Sequence, residues 1–178
     1  QRGGPVFIGG LTMTAVVHLD PDLDLVLTRD LALPAEILYR CWTSAEHIPQ
    51  FFVPKPHRVV ACEIDFRVGG VFNTTFEVDG ARMENNGVWL EVIPNKKLVF
   101  TDTYTEGWKP APEPFMTAIL TFDDLGSDRT RYTAVARHRT AETAAQHRKM
   151  GFYEGWGIVL DQLESYAKSL GYKTVRSP

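Results

Sequence analysis

Three residues have the side-chain types and positions expected of acid–base chemistry, and two of them are Asp102 and Tyr104. They lie two residues apart in the run KLVFTDTY (97–104). On a β-strand this spacing projects both side chains from one face, together with Leu98 and Phe100. Burial on an apolar concave face favours the protonated form of an unpaired carboxylate, which makes it a candidate acid or base. An aspartate near a strand end can also contact water or pair with an arginine, and we favour that interpretation.

His138 is the third candidate. It follows Tyr132, Ala134 and Ala136 at alternating positions of the run TRYTAVARHR (130–139). At the end of a strand it could reach the mouth of a cavity. An imidazole can change its charge near neutral pH, but this has consequences only when a partner is within reach. We therefore favour a hydrogen-bonded structural histidine over a catalytic one.

Other chemistries have less support in the sequence. Ser44 fits a helix N-cap and lies in no nucleophile-elbow motif, and Cys41 and Cys62 fit buried, inert thiols. Two cysteines without a CxxC motif indicate a reduced, cytoplasmic protein. No metal and no cofactor are predicted, because the remaining histidines of the ordered body lack ligand spacing with cysteine or carboxylate residues. These histidines are His47, His57 and His147.

Composition excludes several classes of partner. The 178 residues are 44% hydrophobic and 23% charged, with a net charge of -3, the balance of a soluble globular protein. This charge predicts no nucleic-acid partner, and no apolar run approaches the roughly 18 residues of a membrane span. Residues 1–12 precede Met13 and lack a signal-peptide pattern, so we interpret them as an extension to a single domain over 13–178, with its core at 22–171.

The elements that must position these residues follow from the hydrophobic pattern. A strand at 22–32 precedes a helix opened by Pro34, and Ser44 could cap a second short helix limited by Pro49. Six segments then alternate with period two and are separated by short turns, which requires antiparallel pairing. The segments are HRVVACEIDF (57–66), GVFNTTFEV (70–78), VWLEVIP (88–94), KLVFTDTY (97–104), FMTAILTFDD (115–124) and TRYTAVARHR (130–139). The proline-rich stretch 106–114 cannot join the sheet and is expected over its rim.

A long amphipathic helix closes the predicted fold. It runs from about Ala141 to Leu170 and ends at Gly171. Its apolar stripe steps alternately by four and three residues. The stripe is Phe152, Trp156, Val159, Leu163, Tyr166 and Leu170. The pattern predicts an α+β fold in which this helix packs across a curved antiparallel sheet.

The motif DFRVGGVFN (65–73) places two glycines between predicted strands. It matches no phosphate-binding loop, so the glycines indicate a hairpin turn, a sharply bent strand, or both. A curled sheet closed by a long helix encloses a cavity suited to a small apolar ligand. The predicted lining residues are Phe72, Phe76, Trp89, Phe100, Met116, Leu120, Phe122, Phe152 and Trp156, with Glu84, Asn85 and Asn86 at the rim.

Seven ordered motifs between about Asp22 and Leu170 carry a family resemblance. They are LVLTRDLALPAEILYRCWT, QFFVPKP, CEIDFRVGGVFN, NNGVWLEVIPNKKLVFTDTY, PEPFMTAILTF, TRYTAVARH and HRKMGFYEGWGIVLDQLESYA. In these the chain resembles the bacterial single-domain members of the heat-shock protein 90 ATPase activator homologue family, within the START-like (SRPBCC) helix-grip superfamily. The resemblance implies a strand, two small helices, six strands and a long C-terminal helix gripping the sheet over a cavity.

Three functions are compatible with these features. The first is a binding protein for a small hydrophobic molecule, which needs only a cavity and a few polar groups. The second is a cyclase-, hydrolase- or isomerase-type enzyme using at least two of Asp102, Tyr104 and His138. The third is a regulator of a chaperone ATPase, which needs an exposed patch instead. We favour the first, and an edge strand could pair two copies into a homodimer.

Overall fold

The computed structural model describes residues 18–171, which contain ten strands and three α-helices. In chain order these are β1 (Asp24–Leu31), α1 (Ala35–Trp42), β2 (Arg58–Ile64), β3 (Phe72–Val78), β4 (Ala81–Asn85), β5 (Val88–Ile93), β6 (Lys97–Thr101), β7 (Tyr104–Thr105), β8 (Lys109–Pro110), β9 (Thr117–Gly126), β10 (Arg129–Arg137), α2 (Ala141–Lys149) and α3 (Phe152–Ser169). The predicted α+β class, with a curved antiparallel sheet and a long C-terminal helix, is confirmed. Residues 1–12 lie outside the described range, so the extension and the domain boundaries stay predictions.

Eight of the ten strands form two sheets that continue into one another. One sheet has the order β1-β10-β9-β6-β5 and the other β2-β3-β4, and the paired strands are antiparallel. The sheets join where the Trp89 N–H donates to the Gly70 carbonyl oxygen at 3.0 Å and the Phe72 N–H to that of Gly87 at 2.9 Å. Strand β4 ends at Asn85 and β5 begins at Val88, so the strand structure is interrupted beside this junction. The sheet therefore bends at one place and curls around the helices.

Two strand regions differ from the prediction. Strand β4 was missed because ARMEN is almost fully exposed and has no alternating pattern, yet it pairs with β3 across the Asp79–Gly80 turn. The predicted strand 97–104 is two elements, since β6 ends at Thr101 and Tyr104 begins the separate ribbon β7–β8. The proline-rich stretch stays outside the main sheet, and its Trp108 ring lies against Gly69.

The helices follow the prediction with two corrections. Helix α1 buries Ile37, Leu38, Cys41 and Trp42 on one side. The second short helix is only a 3-10 turn at Ile48–Gln50, because Pro49 lacks an N–H and Phe51 turns into the core. The predicted helix 141–170 is broken into α2 and α3 at Gly151, whose φ of 95° is accessible to glycine. Leu170 lies beyond α3 and is 39% exposed, so it does not belong to the buried stripe.

The core lies between α1, α3 and the concave face of the five-stranded sheet. Trp42, Tyr132, Leu160, Leu163 and Ala167 are fully buried there. The Trp156 Nε1–H donates to the Tyr132 hydroxyl oxygen at 3.1 Å, which joins α3 to the centre of the sheet. A buried indole N–H usually has such a partner, and this bond helps to fix the position of the helix along the sheet.

A close approach of two backbone segments requires glycine at position 70. The chain between β2 and β3 folds back so tightly that a Cβ atom on Gly70 would lie 2.0 Å from the Asp65 carbonyl oxygen. The turn is closed by the Asp65 N–H donating to the Val71 carbonyl oxygen and the Gly70 N–H to that of Arg67, both at 2.9 Å. Both predicted roles of the glycines are therefore combined in one turn beside the bend of the sheet.

Gly70→Ala should destabilise the protein far more than Gly80→Ala. The first adds a methyl group against backbone that cannot move aside, and we expect a loss of about 3 kcal/mol in the free energy of unfolding. The second adds one where no atom lies within 4 Å, at a φ of 79°, and should cost about 1 kcal/mol. Urea unfolding of both variants measures the difference, and equal losses would contradict the close approach at Gly70.

Candidate functional site

A cavity of about 680 Å³ lies between the curved sheet and the junction of α2 with α3. Strands β3, β4 and β6 and the segment 52–54 form one side, and α2 and the first half of α3 form the other. Most of its wall is apolar, and the volume is within the range of small-molecule sites. The apolar side chains are Phe52, Val53, Pro54, Phe72, Phe76, Val78, Met83, Phe100, Phe115, Met116, Met150, Phe152, Trp156 and Val159.

The mouth of the cavity combines polar groups with flexible apolar ones. Met83 on β4 and Met150 between α2 and α3 both line it and are 48% and 66% exposed. The polar side chains on the wall are His57, Thr74, Asn85, Asn86, Thr101, Asp102, Gln146 and His147. The expected rim residues Asn85 and Asn86 are among them, whereas Glu84 is exposed and is not on the wall. A second hollow near Lys109 is smaller and mostly polar-lined, so it is a weaker candidate.

Six of the nine predicted lining residues lie on the wall, and as ligand contacts they stay predictions. They are Phe72, Phe76, Phe100, Met116, Phe152 and Trp156. Trp89, Leu120 and Phe122 are not on the wall; all three are at most 2% exposed and belong to the packed core. Trp89 stacks on the inner side of Phe72 at 4.6 Å, and β9 lies in the middle of the sheet, under α1.

Gln162 on α3 holds one side of the cavity in place. Its side-chain N–H₂ donates to the carbonyl oxygens of Phe51 and Val53 at 3.0 and 2.9 Å. Its oxygen accepts the backbone N–H of Lys55 at 2.9 Å. Three bonds from one side chain fix an irregular segment that has no sheet partners, and thereby position Phe52, Val53 and Pro54 on the wall.

Asp102 lies on the wall, but its carboxylate is engaged by backbone. It accepts the N–H of Phe115 at 2.8 and 3.0 Å and that of Met116 at 3.0 Å. Asp102 is also partly exposed, so contact with water stays a prediction, and its partners within residues 18–171 are backbone groups. The bonds tie the end of β6 to the start of β9 across the loop 102–115. The structure thus gives Asp102 a positioning role for Phe115 and Met116, two residues of the wall.

Tyr104 and His138 are not on the cavity wall. Tyr104 lies in the β7–β8 ribbon, where its ring meets Trp108 edge to face at 5.9 Å. The strand parity that grouped it with Asp102 does not apply, since β6 ends at Thr101. His138 is 3% exposed and lies behind the wall. The three predicted acid–base residues are therefore not brought together around one substrate position.

His147 is the functional candidate that sequence reasoning missed. Its Nδ1 lies 2.8 Å from Nε2 of His138, and its ring is on the cavity wall between Phe115 and Phe152, at 4.7 and 5.1 Å. Burial, and then the neighbouring His138, lower the pKa of His147 to about 4, so the ring is neutral at physiological pH. A signal was present: His147 follows the buried Ala144 by three residues, on the same side of α2.

Other reactive groups are inert or paired. Burial raises the pKa of the Cys41 and Cys62 thiols to about 11, so both are protonated at neutral pH. Arg131 and Arg137 pair with Asp30 and Asp24 at 2.9 and 2.8 Å.

In the described part of the chain, no group of three or more histidine, cysteine or acidic side chains could hold a metal ion. No helix within residues 18–171 is long and apolar enough to cross a membrane.

The chain was compared with known proteins and structures. The model of the family described as "Activator of Hsp90 ATPase homolog 1-like protein" matches residues 32–168. A structure from Nitrosomonas europaea is 38% identical, with a TM-score of 0.83 over 86% of this chain and 99% of that one. One from Mycobacterium smegmatis is 24% identical, with a TM-score of 0.70 over 86% and 95% of the two chains, and shows the same fold. No curated protein matches the chain.

Asp102→Asn should lower the free energy of unfolding by about 1–2 kcal/mol, because the amide accepts fewer of the bonds that the carboxylate accepts from Phe115 and Met116. Glu113→Gln is the matched control. Glu113 is exposed in the same loop and its side chain makes no hydrogen bond or ion pair to residues 18–171, so its change should stay within about 0.5 kcal/mol. Chemical denaturation measures both values. An unchanged stability for Asp102→Asn would show that the loop is held otherwise.

Stability should fall as the pH drops from about 6.5 towards 4. The folded-state pKa of His147 is about 4, below its ordinary value of 6.5, so the unfolded chain takes up a proton that the folded chain excludes. After allowance for partial exposure, we expect a loss of about 1 kcal/mol by pH 5, or about 2–4 °C in Tm. His147→Gln should remove this part of the pH dependence, whereas His18→Gln, at an exposed histidine, should retain it. Thermal melts at pH 7 and 5 test the comparison.

Proposed function

The chain belongs to the family of Activator of Hsp90 ATPase homolog 1-like proteins, and we propose that it binds a small hydrophobic molecule in the cavity between the sheet and α3. The observation that carries the proposal is the apolar cavity of about 680 Å³ beside a core whose other side chains are almost completely buried. An unfilled apolar space forfeits packing contacts and lowers stability. Retaining such a space is expected when a ligand fills it.

The shape of the site fits a flat or elongated apolar ligand. Aromatic rings stand on both sides of the cavity: Phe72, Phe76 and Phe100 on the sheet, and Phe152 and Trp156 on α3. Aromatic walls favour apolar guests with ring systems or alkyl chains, and the polar groups near the mouth can orient one end. The exposed methionines at the mouth can adapt to the entering molecule, because their side chains are unbranched and flexible.

The two other functions stay predictions. Of the proposed acid–base residues, only Asp102 lies on the cavity wall, where its carboxylate is already engaged by the Phe115 and Met116 backbone. Chaperone regulation is what the family description names. It would use an exposed patch such as Phe66, Val68 and Trp108, which are 37%, 54% and 51% exposed around the 65–71 turn. The cavity is the larger apolar feature, so ligand binding is the first proposal.

Location and assembly are proposed on separate grounds. Cys41 and Cys62 are free thiols, which supports a reducing, cytoplasmic setting. Among the described residues 18–171, strands β1 and β2 each pair on one side only, so either edge could pair with a second copy. A homodimer therefore stays a prediction.

Gly155→Leu should block ligand binding without disturbing the fold. Gly155 is on the cavity wall, and a Cβ atom there meets no atom within 4 Å, so a larger side chain projects into the empty space. We expect the affinity for an apolar fluorescent probe such as 1-anilinonaphthalene-8-sulfonate to fall about tenfold or more. Fluorescence titration, with circular dichroism to confirm folding, measures the effect.

The matched control is Gly157→Leu. Gly157 lies two residues further along α3 and is not on the cavity wall, so the same gain in helix propensity and apolar surface should leave the affinity unchanged. Native mass spectrometry of the purified protein should also detect a bound apolar molecule, and less of it in Gly155→Leu. Equal probe affinity in wild type and Gly155→Leu would overturn the proposal.

A further inference from the structure

His147 on the cavity wall is not explained by apolar packing alone. It is a polar ring between Phe115 and Phe152, at the end of α2 that faces the cavity. A side chain that only packs at this position would normally be leucine or phenylalanine, because neither has a polar group that needs a hydrogen-bond partner. The hydrogen bonds around the ring show what the imidazole offers to the cavity.

A chain of hydrogen bonds fixes the tautomers of two histidines. Nδ1 of His138 lies 3.0 Å from the Leu23 carbonyl oxygen, and since a carbonyl can only accept, this nitrogen carries a proton. A His138 ring that carries only this proton has Nε2 as an acceptor. Nε2 lies 2.8 Å from Nδ1 of His147, which is then the donor. Nε2 of His147 is left as a lone pair.

The second nitrogen of the His147 ring is not used by His138. The outward directions of the two imidazole nitrogens diverge, so Nε2 is directed away from the buried His138, and the ring that carries it lines the cavity. Within residues 18–171, no donor forms a hydrogen bond to this atom. The bonds from Leu23 through His138 also polarise the ring and strengthen its acceptor.

The surroundings of His147 favour its neutral form. The aromatic rings of Phe115 and Phe152 face His147 itself and disfavour a charge on it. The pKa of His147, lowered to about 4, agrees with a neutral ring at pH 7.

We propose that Nε2 of His147 accepts a hydrogen bond from a hydroxyl group on an otherwise apolar ligand, so that the cavity selects uncharged phenols or alcohols. The inference rests on the proposed function and specifies its ligand class. An ionised carboxylic acid has only acceptor oxygens, which a lone pair repels. An ether of the same shape fills the cavity but leaves the nitrogen unpaired, at the cost of one hydrogen bond.

The test compares 2-naphthol with 2-methoxynaphthalene, two probes that differ in one hydrogen-bond donor. We measure Kd for both by fluorescence titration at pH 7 and take their ratio in wild type and in His147→Phe. The variant should still bind both probes, with the preference for naphthol reduced about 3- to 10-fold. His57→Phe is the control, because His57 is another histidine of the wall and is outside the hydrogen-bonded chain. It should retain the wild-type ratio.

The outcomes separate the two proposals. If neither 2-naphthol nor 2-methoxynaphthalene binds to wild type, the proposed binding function is overturned. If both bind and His147→Phe keeps the wild-type ratio, only the hydroxyl selectivity is overturned.

A second measurement needs no variant. In ¹⁵N-histidine spectra of wild type at pH 7, Nδ1 of both His138 and His147 should be protonated and Nε2 of both unprotonated. A protonated Nε2 on His147 would overturn the inference.

Discussion

The contact of Trp156 with Tyr132 divides helix α3 into two halves with different surroundings. Beyond it, Leu160, Leu163 and Ala167 are fully buried between α1 and the sheet. Before it, Phe152 and Gly155 face the cavity. The hydrogen bond between the two rings holds the helix at a fixed distance from the sheet where the packed region ends. The cavity exists because the first half of the helix is supported at this point and cannot collapse onto β3.

Two polar side chains hold the opposite wall in place through hydrogen bonds to the backbone. Gln162 fixes the segment 51–55, and Asp102 fixes Phe115 and Met116. Both side chains bond to backbone that has no sheet partner, the kind of group that would otherwise be left unsatisfied near an apolar space. Irregular segments can thereby form a defined wall. A ligand would meet preformed surfaces, which limits the entropy lost on binding.

The break at Gly151 places His147 in the site. A continuous helix over 141–170 would put His147 about 140° around the axis from Phe152 and about 180° from Trp156. The left-handed glycine turns α2 away from the axis of α3, and the ring of His147 meets His138 on the strand end. One backbone conformation thus places an imidazole between Phe115 and Phe152 on the cavity wall. The family description names a chaperone activity, whereas this arrangement supports the proposed binding of a small molecule.

The sequence by itself determined the α+β class, the antiparallel sheet and most of the buried stripe of α3, because periods of two and 3.6 residues report directly which side of an element is apolar. Six of the nine residues that it proposed as ligand contacts lie on the cavity wall. Only the tertiary structure decided which buried rings face a cavity and which face the core, since Trp89 and Phe72 are equally apolar and differ only in what lies beyond them. It also decided that His138 and His147 meet while Asp102 and Tyr104 separate. Such pairings depend on where a chain bends, at Thr101 and Gly151, and a local pattern of side chains contains no information about the direction of a bend.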